Sequence, residues 1–378
     1  MSRQPEIGRY SLRFLSYLTL VLRSKVVKSK ILQHYVWCGR RSYYCFGRFI
    51  GTCFRTLFQL GRPSLTPAPI AILSNHLSTR NREDADWLDS IVSGHSWVRR
   101  FAFDRIDDIP GILSKCADAG IGTLAIDGGD GTAGLVFSGL LNDSPYKTLP
   151  ALALLPSGKT NMTAQAWSLS GNRQTALDHL IHKHKDGSLD SNIHSRAIIT
   201  LDDGEATPSR HGAFFGGADV VEGILYCRRA VYPLGLPNVI SHSAAVFILL
   251  WRALVAGQNA DALSAQFDGS DIGEEGRFFV VLVTTMDRML LGVQPAPVNG
   301  KGPLHYMSLR AGPGPVLSTI PSLVRRRILP SQARTVRRTN SVTLKSSGQY
   351  TLDGELYTMR PDQPLTLSSH QNMRFIRW

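Results

Sequence analysis

Acid is what the start of this chain lacks. Among residues 1–62 the single carboxylate, Glu6, stands against twelve lysines and arginines, and most of the formal charge of +13 is gathered there. The remainder is near balance, so the charge pattern reads as a globule with a basic head. Cysteine is also scarce: five in 378 residues, an odd number, none at metal-ligand spacing. That excludes a disulfide scaffold and a zinc cage, and it suits reduced thiols in a cytoplasmic protein. Cys38, Cys45 and Cys53 recur at helical spacing, which burial of small apolar side chains explains. Long apolar runs are missing too. Phe14 to Leu22 is about half the length of a membrane span and has Arg13 and Arg23 at its ends. Residues 244–257 form another short run, broken by Arg252, and read as a buried core helix. No small-residue cleavage site follows Leu22. There is no internal repeat and no low-complexity tract.

What is there begins with the head itself. Leu, Phe, Tyr and Trp alternate with Arg and Lys across residues 1–62. This suits an amphipathic helix on an anionic membrane, where each cation contributes about 1 kcal/mol near the surface. A solvated helical face packed on the body ranks second, and a nucleic-acid patch last. Residues 63–69 carry three prolines and read as a linker. Then buried strands are expected at Ile70 to Asn75, Ile121 to Ile126 and Leu152 to Leu155. Helices are expected at Trp87 to Ser93, Ile112 to Ala119 and Gln174 to Lys185, the last turning Leu177, Leu180 and Ile181 inward. Strand, turn and helix at this cadence predict an α/β domain with a parallel sheet, its site at the carboxyl ends of the strands. From Ser195 onward the texture changes to short apolar or β-branched segments: Ala197 to Leu201, Phe278 to Thr284, Met289 to Val293, Ser341 to Leu344 and Leu365 to Leu367. They predict an antiparallel β domain. The acid-rich loops at 186–190 and 268–275 read as solvated turns.

The chemistry gathers at the end of the second expected strand, Leu-Ala-Ile-Asp-Gly-Gly-Asp-Gly-Thr over residues 124–132. Gly128, Gly129 and Gly131 let backbone approach a ligand, and the N–H groups of a following helix favour an anion. Thr132 can donate a hydroxyl or cap that helix. Asp130 beside a phosphate would repel it unless a divalent cation lay between them, so the turn reads as a site for a magnesium-bound polyphosphate. A tight strand-to-helix turn with no ligand explains the same letters. Two further turns stand out: Pro156 to Asn161, with Gly158 and Lys159, and a late Asp353-Gly354-Glu355. Alone, the latter is a hairpin turn, and Asp203-Gly204-Glu205 repeats its letters.

As a set these motifs resemble the diacylglycerol kinase catalytic family, with its sphingosine, ceramide and bacterial lipid kinases. The resemblance covers roughly residues 70–378 and leaves the basic head outside. It implies an ATP-binding α/β domain joined to an antiparallel β-sandwich, a fold shared with NAD kinases. Gly128, Gly129, Asp130, Gly131 and Thr132 match the family's Gly-Gly-Asp-Gly-Thr turn, which holds nucleotide phosphates and magnesium. Asn75 to Thr79, followed by Arg80, is similar to the family's opening Asn-Pro-x-Ser-Gly turn. Pro156 to Met162 resembles Pro-x-Gly-Thr-x-Asn-Asp. Asp353 falls on the family's general base. His76 and Thr79 depart from the opening turn's Pro and Gly, while Lys159 and Met162 depart from the later turn's Thr and Asp. Met lacks the acceptors of a carboxylate, and Lys159 can offer a point charge to phosphate.

The resemblance thus implies a lipid kinase that uses ATP and Mg2+. Asp353 serves as base, Glu355 orients it or helps with the cation, and Asp130 holds the metal. Asn75, Ser78, Arg80, Gly128, Gly129, Gly131, Thr132, Gly158, Lys159 and Asn161 line the nucleotide. The expected organisation is a basic amphipathic extension over 1–66 and an α/β nucleotide-binding domain over 67–190, to which the tail 362–378 returns. A β-rich lipid-acceptor domain follows over 191–361. The partners expected are a lipid substrate and an anionic membrane met through residues 1–62, without specific nucleic acid. The protein is expected to be cytoplasmic and peripheral. Rival readings are a soluble NAD kinase and a membrane adaptor whose turnover has weakened.

Overall fold

In the computed structural model the side chains of Ile70, Ala71, Ile72 and Leu73 are wholly buried, and they set the first strand. The structure describes residues 67–378 apart from 84–85, 169–170, 205–207, 297, 299 and most of 232–261. The expectations for the basic head, including Phe14 to Leu22, Cys38, Cys45 and Cys53, lie outside the described residues.

In chain order, β1 (Ile70–Asn75) is followed by α1 (Thr79–Glu83) and α2 (Asp86–Ser93), then β2 (Val98–Phe103) and α3 (Ile109–Asp118). Next come β3 (Thr123–Gly128), α4 (Asp130–Leu141), β4 (Ala151–Pro156), α5 (Met162–Trp167) and α6 (Arg173–Lys185). The four strands pair in parallel in the order β2-β1-β3-β4. Their apolar runs are continuous because both faces are covered. Ala71 and Leu73 face α3 and α4 through Leu113, Val136 and Phe137. Ile70 and Ile72 face α2 and α6 through Leu88, Leu177, Leu180 and Ile181. Cys116 of α3 is free and buried, and that burial pushes its thiol up to about 11.

The antiparallel part follows with β5 (Ile193–Asp202), β6 (Arg210–Gly212), β7 (Phe214–Ala218), α7 (Asp219–Tyr226), β8 (Ala262–Phe267) and β9 (Gly273–Thr284). Then come β10 (Gln294–Pro295), β11 (Leu304–Arg310), α8 (Pro313–Val324), β12 (Arg327–Ile328), β13 (Arg334–Thr339) and β14 (Ser341–Ser346). The chain ends with β15 (Gly348–Leu352), β16 (Glu355–Met359) and β17 (Leu365–Ile376). β9 changes partners along its length: its first residues pair with β8, and its later ones with β7 and β11. Two antiparallel layers result, packed across Phe215, Phe278, Val281, Tyr306, Leu344 and Tyr350. β17 starts beside β14 and β5 and ends parallel to β4, with Phe375 opposite Leu152.

Three local expectations are corrected. Met289 to Val293 is not a strand. Leu290–Gly292 is a 3-10 turn with Leu291 at φ 58, closed by Met289 N donating to Val293 O at 2.8 Å. The 244–257 run is not a fully buried helix. Its described helical residues put Leu250 and Leu254 on the core but leave Phe247 and Trp251 exposed. The acidic loop at 268–275 is not simply solvated. Glu274 accepts from Tyr306 Oη at 2.7 Å, Ser308 Oγ at 2.5 Å and Thr335 Oγ1 at 2.6 Å, because its carboxylate is the acceptor those inward hydroxyls need. No described helix is long and apolar enough to cross a membrane.

Candidate active site

Strand order decides where the turns meet. β2 lies on one side of β1 and β3 on the other, so the chain reverses direction across the sheet at β1 and β3. Such a switch point opens a crevice at the carboxyl ends of the strands. The turns leaving β1, β3 and β4 therefore stand side by side, with Ser74 opposite Asp127 and Gly128 opposite Pro156.

Side chains then lock the turns together. Asn75 accepts from Leu77 N at 2.9 Å and donates through Nδ2 to Thr132 Oγ1 at 2.8 Å, bridging the first turn to α4. Thr132 thus serves that bridge; the N-cap of α4 is Gly129. Ser78 is buried, its N–H bonded to Asn75 O, and Arg80 N donates to Ser157 O at 3.1 Å. Gly158 packs so closely on the glycine turn that a Cβ there would stand 2.6 Å from Gly129 Cα. Asn161, at φ 51, exchanges two 2.7 Å hydrogen bonds with Gly158 and closes the third turn. Lys159 is half-buried in that turn and has no carboxylate partner among the described residues.

Asp130 is placed differently from a bare carboxylate awaiting a cation. Its Oδ2 accepts from Met162 N at 3.0 Å and its Oδ1 from Thr163 N at 2.8 Å. The carboxylate caps α5 from across the crevice, satisfying N–H groups that a helix start leaves without partners. Met162 takes part through its backbone, so its side chain is irrelevant to this bond.

Beneath the turns lies a residue that the sequence reasoning passed over. Asp127 is fully buried. It accepts from Ser74 Oγ at 2.8 Å, from Asn81 Nδ2 at 2.9 Å and from Ser157 Oγ. Arg173 Nη1 donates to Asn81 Oδ1 at 2.6 Å, and its guanidinium lies 4.8 Å from the Trp87 ring centroid. One carboxylate thus joins the ends of β1, β3 and β4. The only sequence signal for it was an Asp at the end of an apolar strand; nothing pointed to Asn81 or Arg173.

The far end of the chain completes the site. Asp353 and Glu355 flank the β15–β16 turn, and β15 pairs with β7. That pairing brings the turn to α4. A Cβ on Gly131 would meet Glu355 Oε1 at 2.6 Å, and one on Gly134 would meet Asp353 Oδ2 at 3.2 Å. Asp353 is buried, at φ 49, and accepts from Ala213 N at 3.0 Å and Phe214 N at 2.9 Å. Burial pushes its carboxyl well above the usual carboxylate range, and the nearby Asp130 charge adds to this; the two backbone donors oppose it. Glu355 is exposed on the other side of the same turn. Among the described residues no His, Cys, Asp and Glu cluster would hold a metal by itself.

Residues 69–188 match the profile of the diacylglycerol kinase catalytic domain. The match spans the three turns after β1, β3 and β4, and the resemblance read from their motifs is borne out there. A solved diacylglycerol kinase from Bacillus anthracis str. Sterne aligns with a TM-score of 0.53 at 12% identity, over 82% of this chain and 97% of that one. Another structure from the same strain aligns with a TM-score of 0.57 at 12% identity, over 82% and 98% of the two chains. Yeast NADH kinase complexed with NADH aligns at 9% identity and a TM-score of 0.45, over 83% and 84%. No curated protein matches the chain in sequence. At these identities the structural likeness is one of fold, and the α/β sheet joined to antiparallel layers is the fold expected.

Proposed function

We propose that this chain, which carries a diacylglycerol kinase catalytic domain over residues 69–188 and so the machinery of a kinase-type phosphotransferase, moves the γ-phosphoryl group of ATP to a lipid hydroxyl. The observation that carries the reading is the arrival of Asp353 and Glu355 at the start of α4. A buried carboxyl with a raised proton affinity, set against the glycine turn, is a candidate base.

Phosphoryl transfer is mostly positioning and charge stabilisation. Gly128, Gly129 and Gly131 would offer close backbone approach to the phosphates, with Lys159 adding a point charge. Asn75, Ser78, Arg80, Gly158 and Asn161 would hold the flanking turns in register. Asp353 would take the proton of the acceptor hydroxyl. A carboxyl raised above its ordinary range is the better base near neutral pH. Mg2+ fits as a companion of the nucleotide, since this ion is commonly held by one or two carboxylates plus substrate phosphates. Asp130, whose carboxylate stands at the start of α4, and Glu355, exposed beside Gly131, are the carboxylates that would hold it. When bound, the ion would neutralise developing phosphate charge.

The test is incubation with labelled ATP and a panel of extracted lipids, beside NAD. Label in a chloroform-soluble product supports the reading. Label in NAD alone, or in nothing, overturns it.

A further inference from the structure

α8 keeps most of its apolar residues outward. A helix on a globular body normally presents its apolar stripe to the core. Here Val316, Thr319 and Ser322 are buried and Leu323 packs on the core, while Leu317, Ile320 and Val324 are 51%, 42% and 78% exposed. On the inner side Arg334 Nη1 donates to Ser322 Oγ at 2.6 Å and holds the helix in this orientation. Phe247 and Trp251 extend the apolar surface at 66% and 58% exposure. Their helical neighbours Leu250 and Leu254 pack on the cluster that holds Val316, so the two helical segments meet there.

The chain that follows this row is basic. Arg325, Arg326 and Arg327 follow α8 directly and are exposed. Their backbone is pinned by Arg326 N to Leu323 O at 3.0 Å and by Gln294 N to Arg326 O at 2.9 Å. From Asp287 to Asp353 the sequence contains no other acid, against ten lysines and arginines. An exposed apolar row followed by three exposed arginines, with an exposed tryptophan on the adjoining helical segment, is complementary to a layer of hydrocarbon beneath anionic headgroups.

We propose that Leu317, Ile320 and Val324, with Phe247, Trp251 and Arg325 to Arg327, dock the protein on an anionic phospholipid bilayer. This surface is separate in sequence from the basic head. The inference deepens the lipid-kinase reading and rests on it for the purpose of docking, though not for the docking itself. The apolar row enters the headgroup boundary and the arginines meet lipid phosphates.

The experiment uses the full chain and vesicles of phosphatidylcholine with phosphatidylserine. Salt is kept high to screen the purely electrostatic pull of the head. The exposed triple variant L317S/I320S/V324S should partition at least about tenfold less than the wild type. Its thermal midpoint, its oligomeric state and its phosphorylation of detergent-dispersed lipid should be unchanged. Unchanged partitioning overturns the proposal. So does a loss accompanied by a lower midpoint, which would mean that another part of the chain covers the row. A shift from dimer to monomer would overturn it too, by assigning the row to a second copy. The outcomes separate the two readings. Reduced partitioning in a protein that phosphorylates no lipid would keep the docking surface and reject the lipid kinase.

Discussion

In the proposed reaction Asp353 takes the acceptor's proton, and its burial makes two predictions. Asp353→Asn keeps the shape and one acceptor but cannot take a proton. The expected kcat falls by about 10²–10⁴, with the KM for ATP little changed, as steady-state kinetics would show. The second prediction concerns pH. A carboxyl raised in the folded state binds its proton more tightly there than in the unfolded chain. Its contribution to stability is therefore greatest at low pH and declines as pH rises from the ordinary carboxylate range through the folded value. Urea unfolding of wild type against Asp353→Asn should show the difference changing in that direction. His211, one residue before Gly212, behaves oppositely. Burial lowers it to about 4, its Nδ1 meeting Thr200 Oγ1 at 3.2 Å and its Nε2 meeting Asn142 Oδ1 at 3.0 Å. The stability from keeping it neutral is complete above its ordinary value of 6.5 and is lost as pH falls from there toward 4. His211→Gln should flatten that acid slope in the same unfolding series; an unchanged slope would reject the assignment.

Among the elements, the turns were legible and their wiring was not. Glycine, proline and asparagine at strand ends announce close backbone approach locally, so the turns at 75–80, 128–132 and 156–161 could be read from neighbouring letters. β1, β3, β4 and α6 could be read for the same reason, because continuous apolar runs and helical spacing are local signals. Asp127 escaped notice because its partners Ser74, Asn81 and Ser157 stand 53, 46 and 30 residues away. Asp353 was picked out only through resemblance; its nearness to Gly134 is made by the pairing of β15 with β7. α8 is not legible in the sequence, because Gly312, Pro313, Gly314, Pro315 and Pro321 read as turn letters. Asp130 shows the practical consequence. Reading it as a phosphate-side carboxylate predicts that Asp130→Asn abolishes turnover and spares the fold. Its bonds to Met162 N and Thr163 N add a cost. An amide can accept from only one of the two donors, so about 1 kcal/mol of stability should be lost as well. A thermal melt alongside the assay checks both. Lys159→Ala, in a turn with no such bond to lose, should raise the KM for ATP at unchanged stability. An unmoved KM would make Lys159 a solvated cation only.

At the scale of the whole molecule two stretches of the chain are strongly basic: residues 1–62 with twelve cations, and the acid-free stretch between Asp287 and Asp353. Their chemistry differs, and so should their response to salt. The head's attraction to anionic lipid is mostly charge, each cation contributing about 1 kcal/mol near the surface. It is screened within about 10 Å at 0.1 M salt. The α8 surface places apolar side chains at the contact, and burial of apolar area is insensitive to screening. Removing residues 1–66 should leave a folded body, because Pro67–Trp378 is a compact unit of its own. The shortened chain should then lose the salt-sensitive part of its vesicle binding and keep the salt-resistant part. It should phosphorylate detergent-dispersed lipid as the full chain does, and vesicle lipid more slowly at low salt, where the head matters most. Co-sedimentation with anionic vesicles across a salt series, for both chains, decides the matter. Equal binding of the two at every salt concentration would remove the head from the membrane. A shortened chain that fails to fold would instead make the head part of the body.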